Sequence, residues 1–197
     1  MNTFVVALGA NLPGHWGSPA AAIDRACNEI QLLGISIVQR SPAIRTQALS
    51  RSRQPEYHNS ALWLANSSPT LKLLQAMQRM ERAAGRRVRP RWAARPLDID
   101  IICRGGRIVG HRVARRSARA AKTPEKQCLQ RQSGVPANRP TTAGTVRGKV
   151  QLPHPEMHKR AFVLGPMAEV APHWRHPMTG RTVRDMLRQL DVRRPRR

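Results

Sequence analysis

The chain has 197 residues, 40% of them apolar, which suits one ordinary domain with a single core. Its 35 Lys and Arg against 11 Asp and Glu give a formal charge of +24, favouring anionic partners such as nucleotides, nucleic acid or an acidic membrane surface without choosing among them. Cys27, Cys103 and Cys128 are odd in number, widely spaced and never in a CxxC pair, so they indicate neither a disulfide framework nor a zinc site and fit a reducing cytoplasm. The opening MNTFVVALGAN lacks the basic and long apolar parts of a signal peptide, and no run of about 18 apolar residues occurs, so a soluble, cytoplasmic protein without a membrane partner is expected.

TFVVALGAN at 3–11 reads as a first strand closed by Gly and Asn. Ser18 and Pro19 then offer an N-cap and first helical residue, with Ile23, Ala26, Ile30 and Leu33 at helical spacing before Gly34. ISIVQRS at 35–41 and YHNSALWLAN at 57–66 are strand-like and flank a polar loop, TQALSRSRQPE, whose length suggests function. Ser68 and Pro69 open a second helix with Leu73, Met77, Met80 and Ala84 on one apolar face, stopped by Gly85. LDIDII at 97–102 is a fourth strand. Strand, helix, strand, strand, helix, strand is the split βαβ order, which predicts an α+β, ferredoxin-like antiparallel sheet with both helices on one face.

Residues 104–150 hold twelve Lys or Arg, Glu125 as the sole acid, and no Phe, Trp or Tyr. Without a sustained period of 2 or 3.6, the stretch 104–149 reads as a basic, poorly ordered insertion able to touch nucleic acid nonspecifically. The chain is thus one domain over 1–191, interrupted at 104–149 and followed by a basic tail at 192–197. Beyond the insertion, LPHPEMHKRAFVLGPMAEVAP and a short helix, TVRDMLRQL with Val183, Met186, Leu187 and Leu190 inward, are expected to pack around the sheet's edge.

The chemistry concentrates in RWAARPLDID at 91–100. On a strand alternate residues share a face, so Asp98 and Asp100 point one way while Leu97, Ile99 and Ile101 point into the core. Their Cα atoms lie about 6.5–7 Å apart, a span over which two carboxylates can hold Mg²⁺ that also takes phosphate oxygens. A pair of solvated aspartates at a sheet surface is the plain reading of such a spacing. Arg86, Arg87, Arg89, Arg91 and Arg95 precede the pair, and guanidinium forks suit phosphate oxygens, though a charge run is also the usual end of a solvated helix. PHPEMHKR adds His154, His158, Lys159 and Arg160, which could reach the same phosphates if the segment folds back.

With ALGANL, RT followed by QPEYHNSA, QRMERAAGR, RWAARPLDID and LPHPEMHKRAFVL in that order, the chain resembles the 6-hydroxymethyl-7,8-dihydropterin pyrophosphokinases over roughly 3–103 and 150–190. The resemblance implies a ferredoxin-like fold and transfer of pyrophosphate from ATP to a reduced pterin, in folate biosynthesis. It implies that Asp98 and Asp100 ligate two Mg²⁺ ions, that Arg86 and Arg95 engage the phosphates, and that Gln78, Glu81, His154 and Arg160 also bind ATP. For the pterin it implies an aromatic pair, Tyr57 and Phe162, the amide of Asn59, loop residues Thr46 and Leu49, and a covering Trp92. The chain departs from the pattern at Ala93 and Ala94, where Gly-Pro is usual, at Gln47, where proline is common, and in the length of chain between Asp100 and His154. Two other readings remain: a nucleic-acid-binding split βαβ module, for which the first and fourth strands offer only Phe4 as a stacking aromatic, and an inactive relative that keeps the fold.

Overall fold

The computed structural model describes residues 2–49, 53–87, 93–110, 145–146 and 149–192. In chain order it contains β1 (Asn2–Ala10), α1 (Pro19–Leu32), β2 (Ser36–Arg40), β3 (Ile44–Thr46), β4 (Tyr57–Asn66), α2 (Thr70–Ala83), β5 (Asp98–Arg104), β6 (Thr145–Val146), β7 (Lys149–Val150), a 3₁₀ turn at Met157–Lys159, α3 (Ala161–Val170) and α4 (Val183–Val192). The main sheet runs β2-β4-β1-β5, with short β3 also on β4, and every pair is antiparallel. This is the expected α+β, ferredoxin-like arrangement: the first strand sits between the third and fourth long strands. β3 lies in what reads as the start of a loop and pairs Ile44 with Asn59 and Thr46 with Tyr57.

The two faces of the sheet bury different cores. Phe4, Val6, Leu8, Leu62, Leu64, Ile99 and Ile101 face Ile23, Ile30, Leu73 and Met77 of α1 and α2, so both helices of the repeat cover one face. Val5, Ala61, Ile102 and Cys103 point the other way and pack with Val163, Leu164 and Met167 of α3 and with Val183 and Met186 of α4. The segment after the insertion therefore covers part of the second face rather than the sheet's edge. The reason is apolarity on nearly every side of AFVLGPMAEV, which suits a helix laid against a sheet. Phe4 is wholly buried beneath the helices, which removes the one stacking aromatic that a nucleic-acid reading had in the first and fourth strands.

α1 starts as expected, with the Ser18 hydroxyl accepting from the Ala21 N–H at 3.3 Å. α2 starts differently. Pro69 (φ −58°, ψ 145°) is extended and occupies the cap position itself, while the Ser68 N–H donates to Asn66 Oδ1 at 3.0 Å. Gly85 ends that helix region with φ +100°, a conformation natural to glycine.

Residues 104–110, the first of the stretch that composition marks as an insertion, pack against the folded body. The Arg104 guanidinium lies 5.7 Å from the Phe4 ring centre and donates to Thr70 Oγ1 at 3.2 Å, and the Gly105 carbonyl accepts from the Trp174 indole N–H at 2.6 Å. Val109 and Leu152 exchange backbone hydrogen bonds, both 2.9 Å, which holds these two positions side by side. Residues 111–144, 147 and 148 of the proposed insertion, and 193–197 of the tail, lie outside the described residues.

One contact ties the loop after β1 to the arginine-bearing segment. A Cβ on Gly14 would lie 2.3 Å from the Ala84 carbonyl oxygen and 2.5 Å from Pro96 Cβ, both closer than any real packing. Gly14→Ala is therefore expected to cost about 1–3 kcal/mol in urea unfolding, through overpacking of a site with backbone on one side. An unchanged unfolding midpoint would mean that this loop yields freely.

Candidate active site

Alternation places Asp98 and Asp100 on the second face, beyond the part that α3 covers. Opposite them on β1 stand Gly9 and Ala7, and opposite Gly9 on β4 stands Asn59. The central strand thus presents its smallest side chains between two strands that carry functional groups. A Cβ on Gly9 would meet Asn59 Oδ1 at 3.1 Å and Tyr57 Cδ1 at 3.8 Å, so glycine keeps this floor open.

The acidic side is a network of carboxylates and guanidinium groups. Arg86 Nη1 donates to Asp98 Oδ1 at 2.6 Å and also to Glu81 Oε1, while Arg95 Nη1 donates to the same Asp98 oxygen at 2.9 Å. Glu81 is buried on α2 and accepts from the Ile99 N–H at 2.8 Å, so it braces β5 against the helix. Burial, reinforced by the Asp98 charge, pushes its carboxyl up to about 8. Gln78 lies one helical turn earlier and is half-buried. Asp100 is pushed up to about 7 by burial and then by Asp98, against the pull of Arg160, whose Nη1 stands 3.8 Å from Asp100 Oδ2.

His154 and Arg160 do return to this place despite their distance in sequence. The His154 N–H donates to the Ile102 carbonyl at 2.8 Å, which fixes the segment along β5. The residue is 3% exposed; Nδ1 accepts from the Glu156 N–H at 3.2 Å, and Nε2 is buried with no hydrogen-bond partner among the described residues. An accepting Nδ1 assigns the proton of the neutral ring to Nε2, leaving that N–H as a donor. Burial, then the Arg160 charge, lowers the imidazole to about 4.

A pH dependence of stability follows. Unfolded His154 binds a proton near its ordinary 6.5, folded His154 only near 4, so its contribution is full above about pH 6.5 and is lost as pH falls towards 4. Over that window the wild type is expected to lose about 3 kcal/mol more than His154→Gln, measured as urea unfolding at pH 7 and pH 4. Parallel losses in both proteins would contradict a neutral, buried imidazole.

On the other side of Gly9, Asn59 is 5% exposed and its Nδ2 donates to Thr46 Oγ1 at 2.8 Å. Tyr57 is half-buried on the same strand, and burial raises its phenol above the usual range. Leu49 is exposed. Phe162 stands in the first turn of α3 with the Arg160 guanidinium 5.9 Å from its ring centre. Trp92 lies outside the described residues. Gln47 donates to Glu56 Oε1 at 2.7 Å, a side-chain link across the loop base at a position where proline would have stiffened the backbone. The residue that the motifs did not single out is Asn11. Its backbone and side chain bind Arg95, and its carboxamide also reaches Gln54 and Pro55. The sequence signal is slight, an Asn directly after the Gly-Ala that ends β1.

Among the described residues no three His, Cys, Asp or Glu side chains gather as a metal cage, and no helix is long and apolar enough to cross a membrane. The family described as 7,8-dihydro-6-hydroxymethylpterin-pyrophosphokinase matches residues 5–172. Curated relatives named 2-amino-4-hydroxy-6-hydroxymethyldihydropteridine pyrophosphokinase include one from Synechocystis, 29% identical over 95% of this chain and 75% of its own length. Another, from Haemophilus influenzae, is 27% identical over 87% of this chain and 82% of its own. A third, from Methylorubrum extorquens, is 27% identical over 97% and 95%. With the family match spanning both the aspartate strand and the His154–Phe162 segment, this chain belongs to the 7,8-dihydro-6-hydroxymethylpterin pyrophosphokinase family.

Proposed function

We propose that the protein transfers the β,γ-pyrophosphoryl unit of ATP to the hydroxyl of 6-hydroxymethyl-7,8-dihydropterin, releasing AMP, as a step of folate biosynthesis. The observation that carries this reading is one sheet face on which Asp98, Asp100, Arg86, Arg95 and Arg160 stand on one side of Gly9, with the Asn59–Thr46 pair on the other. One half suits a polyphosphate and the other a flat ring with hydrogen-bonding edges.

Asp98 and Asp100 fit Mg²⁺. They supply hard oxygen donors on one face, and the Asp100 carboxylate, disfavoured by desolvation and by Asp98 beside it, would be relieved by a cation. Two protein carboxylates leave the remaining coordination to water and phosphate oxygens, as Mg²⁺ commonly requires. Held by Asp98 and Asp100, Mg²⁺ would neutralise charge on the triphosphate and make the phosphorus more electrophilic.

The chain's own residues do the rest. Arg86 and Arg95 share the Asp98 oxygen, and both pass to phosphate oxygens when ATP arrives, where forked donors match the charge that spreads during transfer. Arg160 holds the same phosphate chain from the start of α3, and the His154 Nε2–H adds a neutral donor beside it. Asn59 reads the edge of the pterin and fixes its rotation, with Tyr57 and Phe162 as the aromatic walls and Trp92 as cover. The hydroxymethyl oxygen is thereby placed for in-line attack at the β-phosphorus, and catalysis rests on positioning and electrostatics.

The test is AMP release in the presence of Mg-ATP, with and without hydroxymethyl-dihydropterin. Release that requires the pterin supports the proposal. Absence of release with both substrates would leave a retained scaffold without this activity.

A further inference from the structure

Asn11 follows β1 directly and is 2% exposed. Its Oδ1 accepts from the Arg95 N–H at 2.8 Å, and the Asn11 and Leu12 N–H groups both donate to the Arg95 carbonyl, at 3.1 and 3.2 Å. The Arg95 peptide is thus held on both sides, which fixes the root of a side chain already bound to Asp98. The other end of the same carboxamide looks the opposite way: Nδ2 donates to Gln54 Oε1 at 3.3 Å and to the Pro55 carbonyl at 3.2 Å. Pro55 stands two residues before Tyr57, where β4 begins its run towards Asn59. One buried planar group therefore bridges the segment that carries a phosphate-side arginine and the segment that leads into the pterin-side strand. An amide has a fixed angle between its acceptor and donor ends, so a shift of either segment must break bonds or turn the group and pull on the other.

We propose that Asn11 is a positioning residue that couples the two halves of the site, so that occupancy of the pterin side sets the placement of Arg95 towards the nucleotide. This rests on the two-substrate reading above. Coupling between sites is reciprocal and commonly amounts to about 5- to 150-fold in affinity. A purely structural amide would weaken both ligands together, whereas a coupling amide changes how strongly each ligand depends on the other.

The experiment uses the full chain and measures the dissociation constants of a non-hydrolysable ATP analogue with Mg²⁺ and of hydroxymethyl-dihydropterin, each alone, and of the analogue with saturating pterin. In the wild type the pterin is expected to tighten the analogue by at least about fivefold. In Asn11→Ala that factor is expected to fall towards one, while affinity for the analogue alone changes by less than about threefold. Gln54→Ala, which removes one acceptor and leaves Asn11 in place, is expected to give an intermediate factor; should Asn11→Ala fail to fold, this variant decides the question. A wild-type factor near one, an unchanged factor in the variants, or a loss of affinity for each ligand alone in step with melting temperature would overturn the proposal. Failure of the wild type to bind the pterin at all would instead count against the substrate reading on which it rests.

Discussion

Replacing Asp98 or Asp100 by alanine is expected to lower pyrophosphoryl transfer by about a thousandfold or more, roughly 4 kcal/mol in the barrier, with the fold retained. Each change removes a ligand proposed for Mg²⁺ from the face where the triphosphate would lie. Their effects on stability should differ. Asp100 is partly buried and disfavoured by both desolvation and Asp98, so Asp100→Ala should hold or raise the melting temperature. Asp98 is the shared acceptor of Arg86 and Arg95, at 2.6 and 2.9 Å, and its loss leaves Arg95 without this carboxylate, so Asp98→Ala should lower the melting temperature. Turnover equal to wild type in both variants at saturating magnesium would sink the assignment.

The second large effect is expected at Asn59. Asn59→Ala removes a buried amide whose Nδ2 holds Thr46 and whose Oδ1 borders the open floor at Gly9. Affinity for the pterin should fall about a hundredfold, near 3 kcal/mol, because the polar edge of the ring loses a matched partner inside a desolvated site. Affinity for Mg-ATP alone should change by less than about twofold, since Asn59 lies across β1 from Asp98. A fluorescence titration of each ligand distinguishes these. Equal weakening of both would make Asn59 part of the scaffold.

Residues with a local periodic signal were legible in the sequence. Alternation in LDIDII placed the aspartates on one face and Leu97, Ile99 and Ile101 in the core, as observed. The spacing in TVRDMLRQL gave α4 with Val183 and Met186 inward. What was not legible depends on contacts distant in sequence. β3 is three residues long and is a strand because β4 is there to pair with it. Ser68 looked like an N-cap, but Pro69 takes that position and Ser68 is held by Asn66. The covering of the second face by α3 follows from which side of the sheet was still open. In the site, the carboxylates and arginines could be nominated from residue type and order, whereas the bracing role of Glu81 needs Ile99 beside it and that of Asn11 needs Arg95, Gln54 and Pro55. Composition likewise could not show that Arg104, Gly105 and Val109, at the start of the basic stretch, are held by Phe4, Thr70, Trp174 and Leu152.

The most direct measurement is phosphorus NMR of the products formed from Mg-ATP and 6-hydroxymethyl-7,8-dihydropterin. AMP and a pterin carrying a diphosphate are expected in equal amounts, because attack at the β-phosphorus moves both terminal phosphates together. ADP with a pterin monophosphate, or AMP and free pyrophosphate formed without the pterin, would contradict it.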